Sequence, residues 1–170
     1  PGYSEAGSYK YRTSVVVGRK VVAVPFSAPT ILVVDVDSNS FTTEVWDIGR
    51  KYWTSVVVGS KVVAVPHDAA TILVVDVDSN SFTTIPGYSE AGSSKYRTSV
   101  VVGSKVVAVP YNAATILVVD VDSNSFTTVP GYSEAGTYKY WTSVAVGSKV
   151  VAVPYDAFTI LVYDVDSNSF

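Results

Sequence analysis

The chain has 170 residues, 48% hydrophobic and 16% charged, a balance that excludes a disordered tail and suits one folded domain. A formal net charge of -3 argues against broad attraction to nucleic acid or to an anionic membrane surface. With no cysteine and a single histidine, disulfides, thiol chemistry, Cys-ligated zinc and a His-based metal site repeated around a ring are all excluded, and no metal or cofactor is expected.

The longest aliphatic runs, such as Val21–Val24 and Ile31–Val34, stop at Pro25 and Asp35. They fall far short of the roughly 18 apolar residues that a membrane helix needs, so no membrane span is expected. No segment reads as a signal peptide. No glycosylation sequon is present, because Asn39-Ser40-Phe41 and its copies carry Phe in the third place.

Internal repetition dominates the chain. Val-Ala-Val-Pro ends at Pro25, Pro66, Pro110 and Pro154, at spacings of 41, 44 and 44. Val-Asp-Ser-Asn keeps the same rhythm, with its aspartate at Asp37, Asp78, Asp122 and Asp166. Thr54–Thr84 and Thr98–Thr128 differ only at His67/Tyr111 and Asp68/Asn112. Four units follow, over about 11–44, 52–85, 96–129 and 140–170.

Each unit reads as four short strands, best followed in the third. Thr98–Val102 is strand A. Gly103-Ser104 is a two-residue hairpin turn, with glycine supplying the positive φ. Val106–Val109 is strand B, ended by Pro110, which has no N–H for a ladder. Tyr111–Ala114 is a loop and Thr115–Val121 is strand C. Asp122–Ser125 is a turn whose side chains bond their own backbone. Phe126–Val129 is strand D, after which Pro130-Gly131 breaks the sheet and a polar linker runs to the next unit.

No helix is expected, since β-branched residues abound and no apolar 3.6-residue period persists for three turns. Val106–Val109 and Ile116–Val119 are apolar on both faces, so their sheet needs a neighbour on each side. Four-stranded antiparallel blades packed around an axis meet that need. The expected fold is an all-β propeller of four repeats of about 44 residues.

The order Ser-Val-Val-Val-Gly-Ser-Lys-Val-Val-Ala-Val-Pro, then Ile-Leu-Val-Val-Asp-Val-Asp-Ser-Asn-Ser, then a Thr-rich strand resembles the YVTN/kelch-like group of propeller repeats. The resemblance runs through all four units and implies a blade in which the Gly103–Lys105 hairpin precedes the Asp120–Asn124 hairpin. The double glycine of kelch repeats is absent, as is the Gly-His…Trp-Asp signature of the tryptophan–aspartate family. Trp46-Asp47 falls in a linker. Fold is implied, and activity is left open.

Phe170 aligns with Phe126, so the last blade lacks most of its outer strand, and the N-terminal segment does not supply it. Strand C of that blade is left as a bare edge. The expected architecture is either a closed four-bladed ring with a weak seam or an arc of a larger ring. A second copy would complete such an arc as a homodimer, or further sequence would.

Candidate sites follow from the repeat. Asp35-Val-Asp37-Ser-Asn39 resembles the start of a calcium loop, but Ser40 stands where glycine is needed and Trp46 where the twelfth ligand belongs. A hairpin turn in which the first aspartate bonds backbone amides is the expectation. The B–C loops carry the candidate ligand-binding residues Phe26, His67, Asp68, Tyr111, Asn112, Tyr155 and Asp156. The same face is expected to carry Tyr3, Glu5, Tyr88, Glu90, Tyr132 and Glu134, with Glu90 and Glu134 in solvent. Tyrosine beside carboxylate or amide groups suits protein or sugar surfaces. The position of His67 holds Phe26, Tyr111 and Tyr155 in the other copies, so the slot accepts any flat ring. Arg12, Trp53, Arg97 and Trp141 alternate at the start of the inner strands and are expected to place cations over rings at blade junctions.

No nucleophile–base pair or metal cluster is visible, and no catalytic residue is assigned. The leading expectation is a non-enzymatic scaffold with a protein partner or self-association. A glycan-binding propeller is the alternative.

Overall fold

The computed structural model describes residues 2–45, 51–129, 132 and 134–170. Pro1, Trp46-Asp47 and Pro130-Gly131 lie outside the described residues. Blade 1 is β1 (Tyr11–Val17), β2 (Lys20–Pro25), β3 (Thr30–Asp35) and β4 (Ser40–Val45). Blade 2 is β5 (Tyr52–Val58), β6 (Lys61–Pro66), β7 (Ile72–Asp76) and β8 (Ser81–Ile85). Blade 3 is β9 (Tyr96–Val102), β10 (Lys105–Pro110), β11 (Ile116–Asp120) and β12 (Ser125–Val129). Blade 4 is β13 (Tyr140–Val146), β14 (Lys149–Pro154) and β15 (Leu161–Asp164), with an isolated bridge between Asp164 and Ser169. Every sheet is an antiparallel meander in chain order, and no described residue is helical.

Local chemistry sets these boundaries. Val102 pairs with Lys105, so Gly103-Ser104 is the hairpin loop. Gly103 has φ +61°, and no positive φ occurs at Ser104, the pattern of a type II′ turn. At the far end of β11, Asp120 pairs with Ser125 and its Oδ1 accepts the Ser123 amide at 3.0 Å. Strand C therefore ends at Asp120, one residue earlier than expected, because that carboxylate is used to close the turn. Asn124 takes the left-handed conformation at φ 51°, as do Asn39, Asn80 and Asn168. Strand A starts two residues earlier than expected, at Tyr96, which pairs with Pro110 across an irregularity in the register. Proline needs no donor there, at the end of its strand.

The two-faced strands are buried as their composition requires. Val106 and Ala108 pack with Val63, Val65 and Ile72 of blade 2. Val107 and Val109, on the other face, pack with Tyr140, Val150 and Leu161 of blade 4. Val22, Val24 and Ile31 of blade 1 join Val62, Ala64 and Leu73 of blade 2 in the same way. The core is thus three inter-blade layers, and successive inner strands touch in the order β1, β5, β9, β13.

The described blades form an open arc. The closed four-bladed alternative is not what this chain forms by itself, because the outer faces of the first and last blades stay uncovered. Ile160 of blade 4 is 63% exposed, whereas its counterparts Ile31, Ile72 and Ile116 are at most 1% exposed.

Candidate functional site

The B–C loops and the linkers emerge at the same end of the arc. The Lys10, Lys51, Lys95 and Lys139 carbonyls each accept amides from the B–C loop of their own blade, as in Phe26 N to Lys10 O at 2.9 Å and Tyr111 N to Lys95 O at 2.9 Å. These bonds pin each loop to the entrance of its inner strand and bring the candidate residues together.

Three of the loop rings are interior. Phe26, His67 and Tyr111 are buried, while Tyr155 of blade 4 is exposed. His67 stacks on Trp53 with centroids 5.0 Å apart and an interplanar angle of 29°. Its Nδ1 lies 3.2 Å from Asp68 Oδ1. Burial holds the imidazole pKa below its usual range even though Asp68 pulls the other way.

Between the rings run the alternating residues of the inner strands. The Arg12 guanidinium lies 4.5 Å from the centre of Phe26 and 4.4 Å from Trp53. Arg97 lies 4.2 Å from Trp53, 4.1 Å from Tyr111 and 4.3 Å from Trp141. The order Arg12–Trp53–Arg97–Trp141 is a continuous cation–ring stack across three junctions, as the alternation in the sequence suggests.

The polar loop residues reach forward to the next blade. Asp68 Oδ1 accepts the Ser94 amide at 2.6 Å, and Asn112 Oδ1 accepts the Tyr138 amide at 2.8 Å. Both donors are left-handed residues of the following linker, with φ 53° and 57°. Asp156 of blade 4 is exposed.

The linkers themselves differ from expectation. Glu90 is not in open solvent. Its Oε2 accepts the Tyr96 hydroxyl at 2.8 Å and the Thr115 hydroxyl at 3.1 Å, and its Oε1 accepts the Ala114 amide at 2.7 Å. Glu134 repeats this with Tyr140, Thr159 and the Phe158 amide, and Glu5 with Tyr11 and Thr30. Burial pushes the Glu134 carboxyl up, but those hydrogen bonds outweigh it and hold its pKa below the usual range. The linker tyrosines fold onto their own blade, Tyr3 edge-on to Phe41, Tyr88 to Phe126 and Tyr132 to Phe170. Tyr-Ser-Glu is therefore a clasp across the blade that follows it. Repeat-spaced Glu and Thr were the available signal, but the contact joins residues about 25 apart and is invisible to local pattern.

The lysines that precede the inner strands are drawn inward. Lys95 and Lys139 are each 2% exposed. Lys139 Nζ donates to Gly136 O at 3.0 Å and across the junction to Ala113 O at 2.9 Å. At the opposite end of the arc, Asp35 Oδ1 accepts the amides of Asp37 and Ser38 at 3.0 Å, the hairpin-turn role expected of it. Asp76, Asp120 and Asp164 likewise accept amides of their turns, and Asp164 also pairs with Lys149 at 3.0 Å. Among the described residues no group of three His, Asp or Glu side chains is arranged to hold a metal.

Blades and junctions of this kind define a β-propeller-like fold. The chain superposes on the computationally designed Ika4 protein with a TM-score of 0.71 at 15% identity, covering 95% of this chain and 94% of that one. It matches the extracellular domain of the one-component system BT4673 from B. thetaiotaomicron at TM-score 0.66 and 10% identity, covering 92% of this chain and 21% of that one. It matches Kuenenia stuttgartiensis hydrazine synthase at TM-score 0.70 and 15% identity, covering 98% of this chain and 51% of that one. The chain thus spans about half of the last and a fifth of the BT4673 chain. At these identities the likeness is one of fold. No protein-family model matches the chain, and no curated protein does.

Proposed function

We propose that this chain is a non-enzymatic scaffold of the YVTN/kelch-like propeller type, turning the loop end of its blades toward a protein partner. The observation that carries this reading is the use made of the polar groups at the loop end. Glu5, Glu90 and Glu134 are engaged by Tyr and Thr hydroxyls, and Asp68 and Asn112 by linker amides. The one histidine is buried against Trp53. Four rings at this end are exposed in the single chain, Tyr9, Tyr138, Trp141 and Tyr155. Rigid amphipathic rings suit protein recognition. Self-association fits the same reading.

A glycan-binding reading is favoured by one feature, the open groove lined by Trp141, Thr142, Val153, Pro154 and Tyr155. Ring faces of this kind pack against sugar C–H surfaces. The full chain on a glycan array separates the two. No selective binding supports the protein scaffold. Selective binding that Tyr155→Ala abolishes moves the function to the glycan. Turnover of ester, glycoside or phosphate substrates that tracks with loop substitutions would refute both.

A further inference from the structure

The two end faces of the arc are halves of one junction. On the front of blade 4, Val153 is 55% exposed and Val162 41%, while their counterparts Val109 and Val118 in blade 3 are 0% and 6% exposed. On the rear of blade 1, Val36 is 60% exposed, while Val77, Val121 and Val165 are buried at 4–5%. Tyr11, Val21, Leu32 and Val34 line an open groove on that rear face beside Arg12. Their counterparts Tyr140, Val150, Leu161 and Tyr163 are buried against blade 3.

We propose that the front of blade 4 in one copy seats on the rear of blade 1 in a second copy, and that two such junctions close an eight-bladed ring about a two-fold axis. This rests on the scaffold reading in one respect, since it makes self-association the use of the exposed Trp141 and Tyr155, and its readout is mass rather than partner binding. Three complementarities fit a copy of this chain as the occupant. The cation–ring stack ends on Trp141 at the front and on Arg12 at the rear, so the docked copy continues the alternation without a break. Each internal junction carries one backbone hydrogen bond, Lys51 N to Phe26 O, Lys95 N to His67 O and Lys139 N to Tyr111 O, at 2.8–2.9 Å. The matching pair left at the ends is Lys10 N and Tyr155 O. Asp156 stands where Asp68 and Asn112 accept a linker amide, and Tyr9, left-handed at φ 55°, supplies the equivalent amide at the other end. Uncovered apolar faces of this extent are otherwise a liability, and a matching face is the occupant they are shaped for.

The test is the solution mass of the full chain by light scattering and native mass spectrometry. The expected species is a dimer of the 18.1 kDa chain. Val153→Lys blocks only the front and Val36→Lys only the rear. Both positions are exposed in the single chain, so each variant is expected to keep the wild-type circular dichroism and to dissociate at least about 100-fold more readily, as an interfacial ammonium left without a partner requires. Mixing the two variants restores one intact junction and a heterodimer. A wild-type monomer that unfolds cooperatively would overturn the proposal, as would a trimer or an open-ended polymer. A dimer lost with Val153→Lys but retained with Val36→Lys would show a front-to-front contact and also refute it. Displacement of the dimer by a glycan in the front groove would assign that face to the sugar instead.

Discussion

Glu90→Gln is the most informative single change, because it keeps the size of the side chain and removes only its charge and one acceptor. The carboxylate receives three hydrogen bonds, from Tyr96, Thr115 and the Ala114 amide, and so ties its linker to the start of β9 and to the entrance of β11. A bond to a charged acceptor contributes about 1 kcal/mol more than a neutral one. Three such differences give about 3 kcal/mol, and solvent screening at this partly exposed position reduces this by roughly half. The amide nitrogen of glutamine must in addition face either two hydroxyls or the Ala114 N–H. We expect a loss of about 1–2 kcal/mol, which for a chain of this length lowers Tm by about 2–8 °C. Urea unfolding followed by tryptophan fluorescence and far-UV circular dichroism reads it directly. A variant within about 0.5 kcal/mol of wild type, the range of an ordinary surface substitution, would refute the clasp as a source of stability.

Further outcomes follow from the same geometry. His67 is held neutral by burial, so the unfolded chain binds its proton more readily, and stability falls as pH drops below the usual histidine value of about 6.5. His67→Phe, a ring the slot accepts in blade 1, should flatten that part of the pH profile. An unchanged slope would show that another group carries it. Glu134 has its pKa lowered, so its contribution is full above the unfolded carboxyl value and is lost as pH falls through the lower folded one. Glu134→Gln should make the acid limb of the denaturation curve shallower, and a parallel curve would count against the assignment. Paired removal of Trp53 and Arg97, as Trp53→Leu and Arg97→Met, should give a coupling of about 0.5–2 kcal/mol in a double-mutant cycle, and additivity would mean that the 4.2 Å stack contributes only packing. Lys139→Met leaves the Ala113 and Gly136 carbonyls without that donor. It should cost about 1–3 kcal/mol in chemical denaturation; no loss would show that these carbonyls are satisfied by water.

The repeat, the strand order and the blade are legible in the sequence because each rests on short-range chemistry. Val-Gly-Ser-Lys dictates a two-residue hairpin through one positive φ, Asp120–Asn124 closes the next turn with its own side chains, and Pro110 ends its strand. Apolar residues on both faces of β10 and β11 require a neighbour on each side whatever the chain does elsewhere. The Arg/Trp alternation could be read in the same way, since residues one repeat apart in sequence are neighbours in space.

Only the tertiary structure decided what the loop residues touch. Asp68 and Asn112 look like ligand contacts in isolation, yet each bonds an amide about 26 residues further on. Glu90 looks solvated, yet it meets Ala114 and Thr115. Both contacts depend on how a linker crosses from one blade to the next, and no local periodicity encodes that crossing. Whether four repeats close is settled at the same level. Each blade determines its own strands, but the angle between blades is set by the packing of whole faces. That packing leaves Ile160 and Val153 at one end and Val36 at the other uncovered in the single chain.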